Sequence, residues 1–211
     1  MTPSTKPLLI TGHPRGGTGY MAALCRACDW DIGHEVMGRD GISSWMMAPP
    51  VWHVPAPYHA RERHRGRNWY RFERSIIVVR EPLAHAASVA YVECTGTPWR
   101  TVSQWWRSVW CPIPYKLDAT PFAPRLASAV RSIVDWHAWM EQWLPGAEVI
   151  RLEDARARLP ELLARPVARE VGVVNARKHP PVTWPEIVAA CEPDLIEQFR
   201  HYGERLGYPM P

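Results

Sequence analysis

Leu8-Leu9-Ile10-Thr11-Gly12-His13-Pro14-Arg15-Gly16-Gly17-Thr18-Gly19-Tyr20 decides the fold. An apolar run of strand length passes into a glycine-rich turn and then into residues that open a helix. Glycines at 12, 16, 17 and 19 let successive backbone N–H groups converge on one point, and a helix starting near Thr18 turns its positive dipole end toward it. The stretch predicts a buried strand, a phosphate cradle and a helix, in that order. It departs from the loop GxxxxGK[ST], which would put lysine directly after Gly17. Thr18 stands there instead, and the basic residue, Arg15, lies inside the loop.

Further along, Arg74-Ser75-Ile76-Ile77-Val78-Val79-Arg80 is the strongest strand signal. Its unbroken β-branched run predicts burial on both faces, as in a parallel sheet. Glu81 and Pro82 then open a helix reaching about residue 93. Residues 31–36 predict a second strand. Residues 37–45 read as a glycine-punctuated loop leading toward a short helix, and 51–54, bracketed by prolines, as a third strand. Arginine-rich 61–74 reads as a solvated face, and 100–110 as a tryptophan-rich helix. A long helix is expected over 126–144, with Ile133, Trp136, Met140 and Trp143 on one face, stopped by Pro145-Gly146. A late strand follows at 148–152, and Asp154 is expected to cap another helix. The segment 175–185 reads as irregular and basic, and 184–199 as helical. Strands alternating with helices predict an α/β fold with a mostly parallel central sheet flanked by helices on both faces, in a single domain spanning 1–211.

Composition bounds the function. An apolar fraction of 46% with 22% charged residues is that of an ordinary globular chain. The net charge of +4 suits an anionic ligand but is too small to indicate nucleic acid. No apolar run approaches the ~18 residues of a membrane span. The N-terminus runs straight into the first strand without a signal-peptide pattern, and five cysteines is an odd number; both predict a reduced, cytoplasmic protein. Cys25 and Cys28 form a CxxC, but no second pair stands at zinc spacing. With Met21 and Leu24 they fall on one helical stripe, which predicts thiols packed in the core.

Ligands of such sheets bind at the carboxyl ends of the strands. Three features are expected there: the cradle at 12–19, His34 with Glu35, and Arg80. Ser88 follows Arg80 by eight residues, about two turns into the helix, so that guanidinium and hydroxyl can grip one phosphate.

In these features the chain resembles PAPS-dependent sulfotransferases, and within them a compact bacterial and phage type. Pro14-Arg15-Gly16-Gly17-Thr18 matches the family's 5′-phosphosulfate loop P-[KR]-x-G-T. Arg80-Glu81-Pro82 with Ser88 matches its 3′-phosphate signature. Residues 136–144 followed by Val149-Ile150-Arg151-Leu152-Glu153-Asp154 are similar to its long helix and R-x-E-D-L strand end. Gly33-His34-Glu35 with Asp40-Gly41-Ile42-Ser43-Ser44-Trp45 is similar to the compact members. The resemblance implies a P-loop-type three-layer fold, PAPS as donor and PAP as product. It implies cofactor binding by Pro14, Arg15, Gly16, Gly17, Thr18, Gly19, Tyr20, Arg80 and Ser88, with Arg177 and Lys178 in a basic loop closing over the 3′-phosphate. Many members carry lysine where this chain has Arg15, so the positive charge is expected to act electrostatically.

Sulfuryl transfer then requires alignment, positive charge and one base for the acceptor proton, and demands no metal. Glu35 is the first candidate base, because it ends the second strand. In a regular strand His34 points to the opposite side. His53 is the rival, and Asp40 the remaining alternative. The acceptor is expected to be a small molecule, glycan or lipid offering a hydroxyl or amine, with Trp99, Trp105, Trp106 and Trp110 as either its platform or core. The alternatives are a P-loop small-molecule or nucleotide kinase, which the missing lysine disfavours, and a PAPS- or PAP-binding protein without transfer activity.

Overall fold

The computed structural model describes residues 4–45, 70–93, 122–172 and 178–211. They fall into two compact units: Met1–Val79 with Met140–Ala176, and Arg80–Trp139 with Arg177–Pro211.

The first unit is built on five strands, β1 (Ser4–Thr11), β2 (Ile32–His34), β3 (Gly41–Ser43), β4 (Tyr70–Val79) and β5 (Glu148–Arg151). They lie in the order β2-β3-β1-β4-β5, and every pairing is parallel. The expected α/β sheet is therefore present. In β4, Ile76, Ile77, Val78 and Val79 are each 1% exposed, so the β-branched run is covered on both faces. Leu8, Ile10, Ile76 and Val78 share one face with Ile150. That face packs on α1 (Thr18–Ala27) and α4 (Ala155–Leu163) through Met21, Leu24, Cys25, Ala155 and Leu159. Leu9 and Ile42, on the other face, pack with Met37, Phe72 and Leu144.

Several expectations are corrected. The stretch 37–45 is not a loop leading to a helix: it contains β3, inserted between β1 and β2 with Leu8 opposite Gly41 and Ile10 opposite Ser43. Gly41 has φ +147°, and a Cβ there would overlap the Leu8 carbonyl, so only glycine lets the strand lie this close. β4 begins at Tyr70, four residues before the expected start. Its first half alternates, with Phe72 half-buried and Arg71 and Glu73 exposed, and pairs with β1 from Ser4↔Tyr70 onward. The end of the arginine-rich run is thus strand. Asp154 occupies the N-cap position of α4 but makes no capping bond. Its carboxylate accepts from Arg151 Nε at 2.6 Å instead. The expected strand at 51–54 and the helix at 100–110 lie outside the described residues.

The second unit contains α2 (Pro82–Ser88), a π-helical turn at Val89–Glu93, α5 (Trp184–Ala190), α6 (Pro193–Arg205) and most of α3 (Phe122–Trp143). The helix expected over 184–199 is two helices, because Pro193 cannot continue the first and starts the second. Ala86, Ala87, Ala90, Leu126, Val130, Ile133, Ile187, Leu195 and Phe199 form its core. Trp143, expected on the buried stripe of α3, is 43% exposed at the last helical residue. Among the described residues no helix is long and apolar enough to cross a membrane.

Gly41→Ala is expected to lower the unfolding free energy by about 3 kcal/mol or more, combining a left-handed backbone with a backbone clash. Urea denaturation measures it; a loss under ~1 kcal/mol would show that β3 does not need this close approach.

Candidate functional site

β1 is flanked by β3 on one side and β4 on the other. The chain leaves β1 through α1 toward β2 and β3, then returns past β1 to β4. The carboxyl ends of β1 and β4 therefore form the point at which strand order reverses, where open α/β sheets hold their ligands. The loop 12–17 leaves from that point.

Its backbone is unusual. Arg15 is left-handed at φ 68°, and Gly17 is left-handed at φ 111°. The Gly16 N–H donates to the His13 carbonyl at 2.8 Å, and His13 Nδ1 lies 2.8 Å from the Pro14 carbonyl, so the loop closes on itself. Alternating left-handed residues turn successive amides to the same side, the condition for an anion nest. Gly12 cannot carry a side chain: its Cβ would come within 2.6 Å of Val78 Cγ1 and 2.7 Å of the Val78 carbonyl. At Gly17 a Cβ would run into the Leu152 side chain. Gly17 is the N-cap of α1, with no side-chain capping bond and no acidic residue in the first turn. The positive end of the helix is thus not neutralised by a carboxylate of its own. Arg15 is partly exposed at the rim and Thr18 is buried. The stretch Pro14 to Tyr20 thus carries two left-handed residues and the uncapped start of α1.

His34 ends β2 and Glu35 follows it. Glu35 is left-handed at φ 57° and its N–H donates to the Ser43 carbonyl at 3.1 Å. This turn breaks the strand alternation, so the two side chains do not point to opposite sides. His34 Nε2 lies 3.9 Å from Glu35 Oε1. Burial lowers the His34 pKa, opposed by the Glu35 carboxylate and reinforced by the Arg26 charge. Glu35 was expected to end a strand close to the loop, but β3 stands between β2 and β1, an offset of two strand spacings, about 10 Å. Asp40 holds a turn: it accepts from the Asp31 N–H at 2.7 Å and from Arg39 Nε at 3.0 Å, and Arg39 holds its carboxyl below the usual range. That commitment makes it a poor base.

The strand missed from sequence supplies two further residues. Ser43 Oγ donates to the Thr18 carbonyl at 2.8 Å, and the Ser44 N–H donates to the Ile10 carbonyl at 2.9 Å; both serines are buried. The sequence signal was Gly41-Ile42-Ser43-Ser44, a glycine and one apolar residue before two serines, which reads as loop unless the close approach to Leu8 is known.

In the second unit, Arg80 is the residue after β4 and is partly exposed. Glu81 caps α2, its two carboxylate oxygens accepting from Leu83 N at 3.0 Å and Ala84 N at 2.6 Å. Ser88 ends α2 and is 1% exposed, immediately before the π-helical turn. Lys178 is exposed. Its neighbour His179 stacks on Tyr91 of that turn, ring centroids 5.9 Å apart. Ser88 and the 178–179 segment thus flank one short turn within this unit. His53, Arg177 and the four tryptophans at 99–110 lie outside the described residues. Among the described residues no group of three His, Cys, Asp or Glu side chains could hold a metal ion. Cys25 and Cys28 are fully buried, and burial raises both thiol pKa values. A cavity of about 340 Å³ lined by Glu73, Arg74, Trp143, Leu144 and Glu148 opens beside the middle of β4 and the amino end of β5.

No family model, curated protein or solved structure matches the chain.

Two measurements probe this site. Arg15→Gly removes a guanidinium and also relieves a left-handed non-glycine residue, which costs ~1–2 kcal/mol. Its unfolding free energy should stay within about 1 kcal/mol of the parent, while affinity for inorganic pyrophosphate falls roughly tenfold to a hundredfold. Unchanged affinity would remove Arg15 from the cradle. The His34 pKa is lowered in the fold, so the unfolded chain takes up the proton first. Its contribution to stability is complete above the ordinary imidazole value of ~6.5 and is lost as pH falls below it. His34→Gln should therefore lose less stability than the parent over that fall in pH; equal losses in thermal melts would contradict the burial of His34.

Proposed function

We propose that the protein is a PAPS-dependent sulfotransferase of P-loop-type three-layer fold, moving the sulfuryl group of PAPS to a hydroxyl or amine of a small-molecule, glycan or lipid acceptor. The observation that carries this is the conformation of the β1–α1 loop. Left-handed residues at 15 and 17 and an acid-free helix start make an anion cradle whose positive side chain comes from inside the loop, not from a lysine after Gly17. A nucleoside-triphosphate kinase wants that lysine; a phosphosulfate loop of the P-[KR]-x-G-T type does not.

In this reading the backbone amides of 17–20 and Arg15 hold the 5′-phosphosulfate, with Thr18 at the 5′-phosphate. Arg80 and Ser88, with Arg177 and Lys178, take the 3′-phosphate that ATP lacks. Charge neutralisation at the leaving phosphate supplies most of the catalysis, as in phosphoryl transfer. Glu35 takes the acceptor proton as it leaves, and the adjacent His34, whose pKa burial lowers, is the second group able to do so. Buried, unoxidised Cys25 and Cys28 suit a reducing, cytoplasmic setting.

Thermal melting with PAP, with ATP plus magnesium, and without ligand tests the proposal. PAP at about 100 times its dissociation constant should stabilise by about 2.7 kcal/mol, roughly 5–10 °C for a chain of this length. ATP-magnesium should do much less; a larger ATP shift favours the kinase. Arg80→Ala should abolish the PAP shift. Glu35→Gln should keep it and lose transfer of label from PAPS by about a hundredfold or more. A parent that binds PAP yet transfers label to no saccharide, lipid or phenol is the binding protein without activity.

A further inference from the structure

Three constraints of the first unit meet at one residue of β3. Ser43 is fully buried. Its hydroxyl donates to the carbonyl of Thr18, the first residue of α1, at 2.8 Å. Its own carbonyl accepts the N–H of left-handed Glu35 at 3.1 Å. Its neighbour Ser44 is tied to β1 through the Ile10 carbonyl at 2.9 Å. The end of β3 is thereby fastened at once to β1, to the start of α1 and to the turn after β2.

We propose that Ser43 is the positioning residue of the anion cradle, setting where the first turn of α1 sits relative to the end of β1. The inference rests on the proposed use of the loop 14–20 to hold a phosphosulfate, and it adds a residue that touches no part of that ligand. The Thr18 carbonyl already accepts an intrahelical bond of α1, one place after the Met21 N–H donates to the Gly17 carbonyl, because each helical carbonyl takes the N–H four residues on. The serine hydroxyl is a second donor to the same oxygen. Removing it leaves the helix bonded and the carbonyl satisfied, so global stability changes little. What is lost is the lateral tether between helix start and sheet. Amides that must converge on an anion at hydrogen-bond distance are sensitive to a shift of a few tenths of an ångström.

Titration calorimetry of the full-length parent, Ser43→Ala, Ser43→Cys and Ser43→Thr with PAP and with inorganic pyrophosphate decides it. Ser43→Ala and Ser43→Cys should weaken both probes about tenfold or more, the loss of one well-placed contact, with melting temperatures near the parent's. Ser43→Thr keeps the hydroxyl and should bind within about threefold of the parent. Amide hydrogen exchange at residues 18–21 should quicken in Ser43→Ala and return to parental rates in Ser43→Thr. Parental affinity in Ser43→Ala overturns the proposal; should that variant not fold, parental affinity in Ser43→Cys overturns it. Failure of Ser43→Thr to restore binding also overturns it. If the parent binds pyrophosphate but not PAP, the sulfotransferase reading falls and Ser43 is judged on pyrophosphate alone. If the parent binds neither, both fall.

Discussion

The carboxyl end of β1 is crowded on both sides, and the rest of the first unit follows from that crowding. On one side Ser44 is hydrogen-bonded to the Ile10 carbonyl. On the other the backbone at Gly12 passes so close to Val78 that no Cβ fits. A strand paired on both edges cannot curve within the sheet, so the chain must leave across its end. It does so in six residues, with left-handed turns at 15 and 17. The same turns bring the chain around to start α1, whose first turn has no side-chain cap. The proposed cradle is the geometric consequence of a short exit from a central parallel strand.

Charge is distributed to suit. The start of α1 has no carboxylate, whereas the helix that follows Arg80 has Glu81 bonded to its first amides. A capped helix offers its dipole to its own side chain; an uncapped one leaves it for a ligand. In the second unit the first amides of α2 are therefore already taken by Glu81. The acidic residues near β2 are partitioned as well. Asp40 and Asp31 are spent on closing the turn before β3, while Glu35 is paired with a histidine at 3.9 Å.

Sequence carried the long-period features well and the short ones poorly. The run Ile76–Val79 is apolar at every position, which only a strand covered on both faces requires, and the glycines at 12 and 17 stand where Val78 and Leu152 leave no room for a side chain. β3 was illegible for the opposite reason. Gly41-Ile42-Ser43 has one apolar residue and a glycine, and its strand character comes from being sandwiched between β1 and β2. Missing it placed Glu35 one strand too near the loop and hid Ser43. The pairing of His34 with Glu35 was likewise invisible, since period-2 alternation holds only until a residue turns left-handed. Asp154 shows the same limit. A good capping residue is diverted when an arginine three positions back competes for its carboxylate. Arg71 and Glu73 alternate with aromatic residues at 70 and 72, a strand pattern that the surrounding arginines concealed.

Arginine at position 15 is the feature that most separates this loop from the triphosphate-binding kind, and its chemistry fits the proposed reaction better than its position first suggests. A left-handed non-glycine residue is retained only where the surroundings enforce it, so this side chain is held at the cost of local backbone strain. Guanidinium does not release a proton at any physiological pH, so it cannot serve as a general acid. A phosphate leaving group is weakly basic and needs no proton to depart; it needs its growing negative charge met by a fixed positive one. A planar, permanently charged fork anchored in a rigid turn meets that need, whereas a general acid would be wasted on it. The residue that looks like a misplaced lysine is thus consistent with a reaction in which charge, not proton transfer, is the requirement at the leaving atom, and the only proton to be moved is the acceptor's, at the far side of the transferred group.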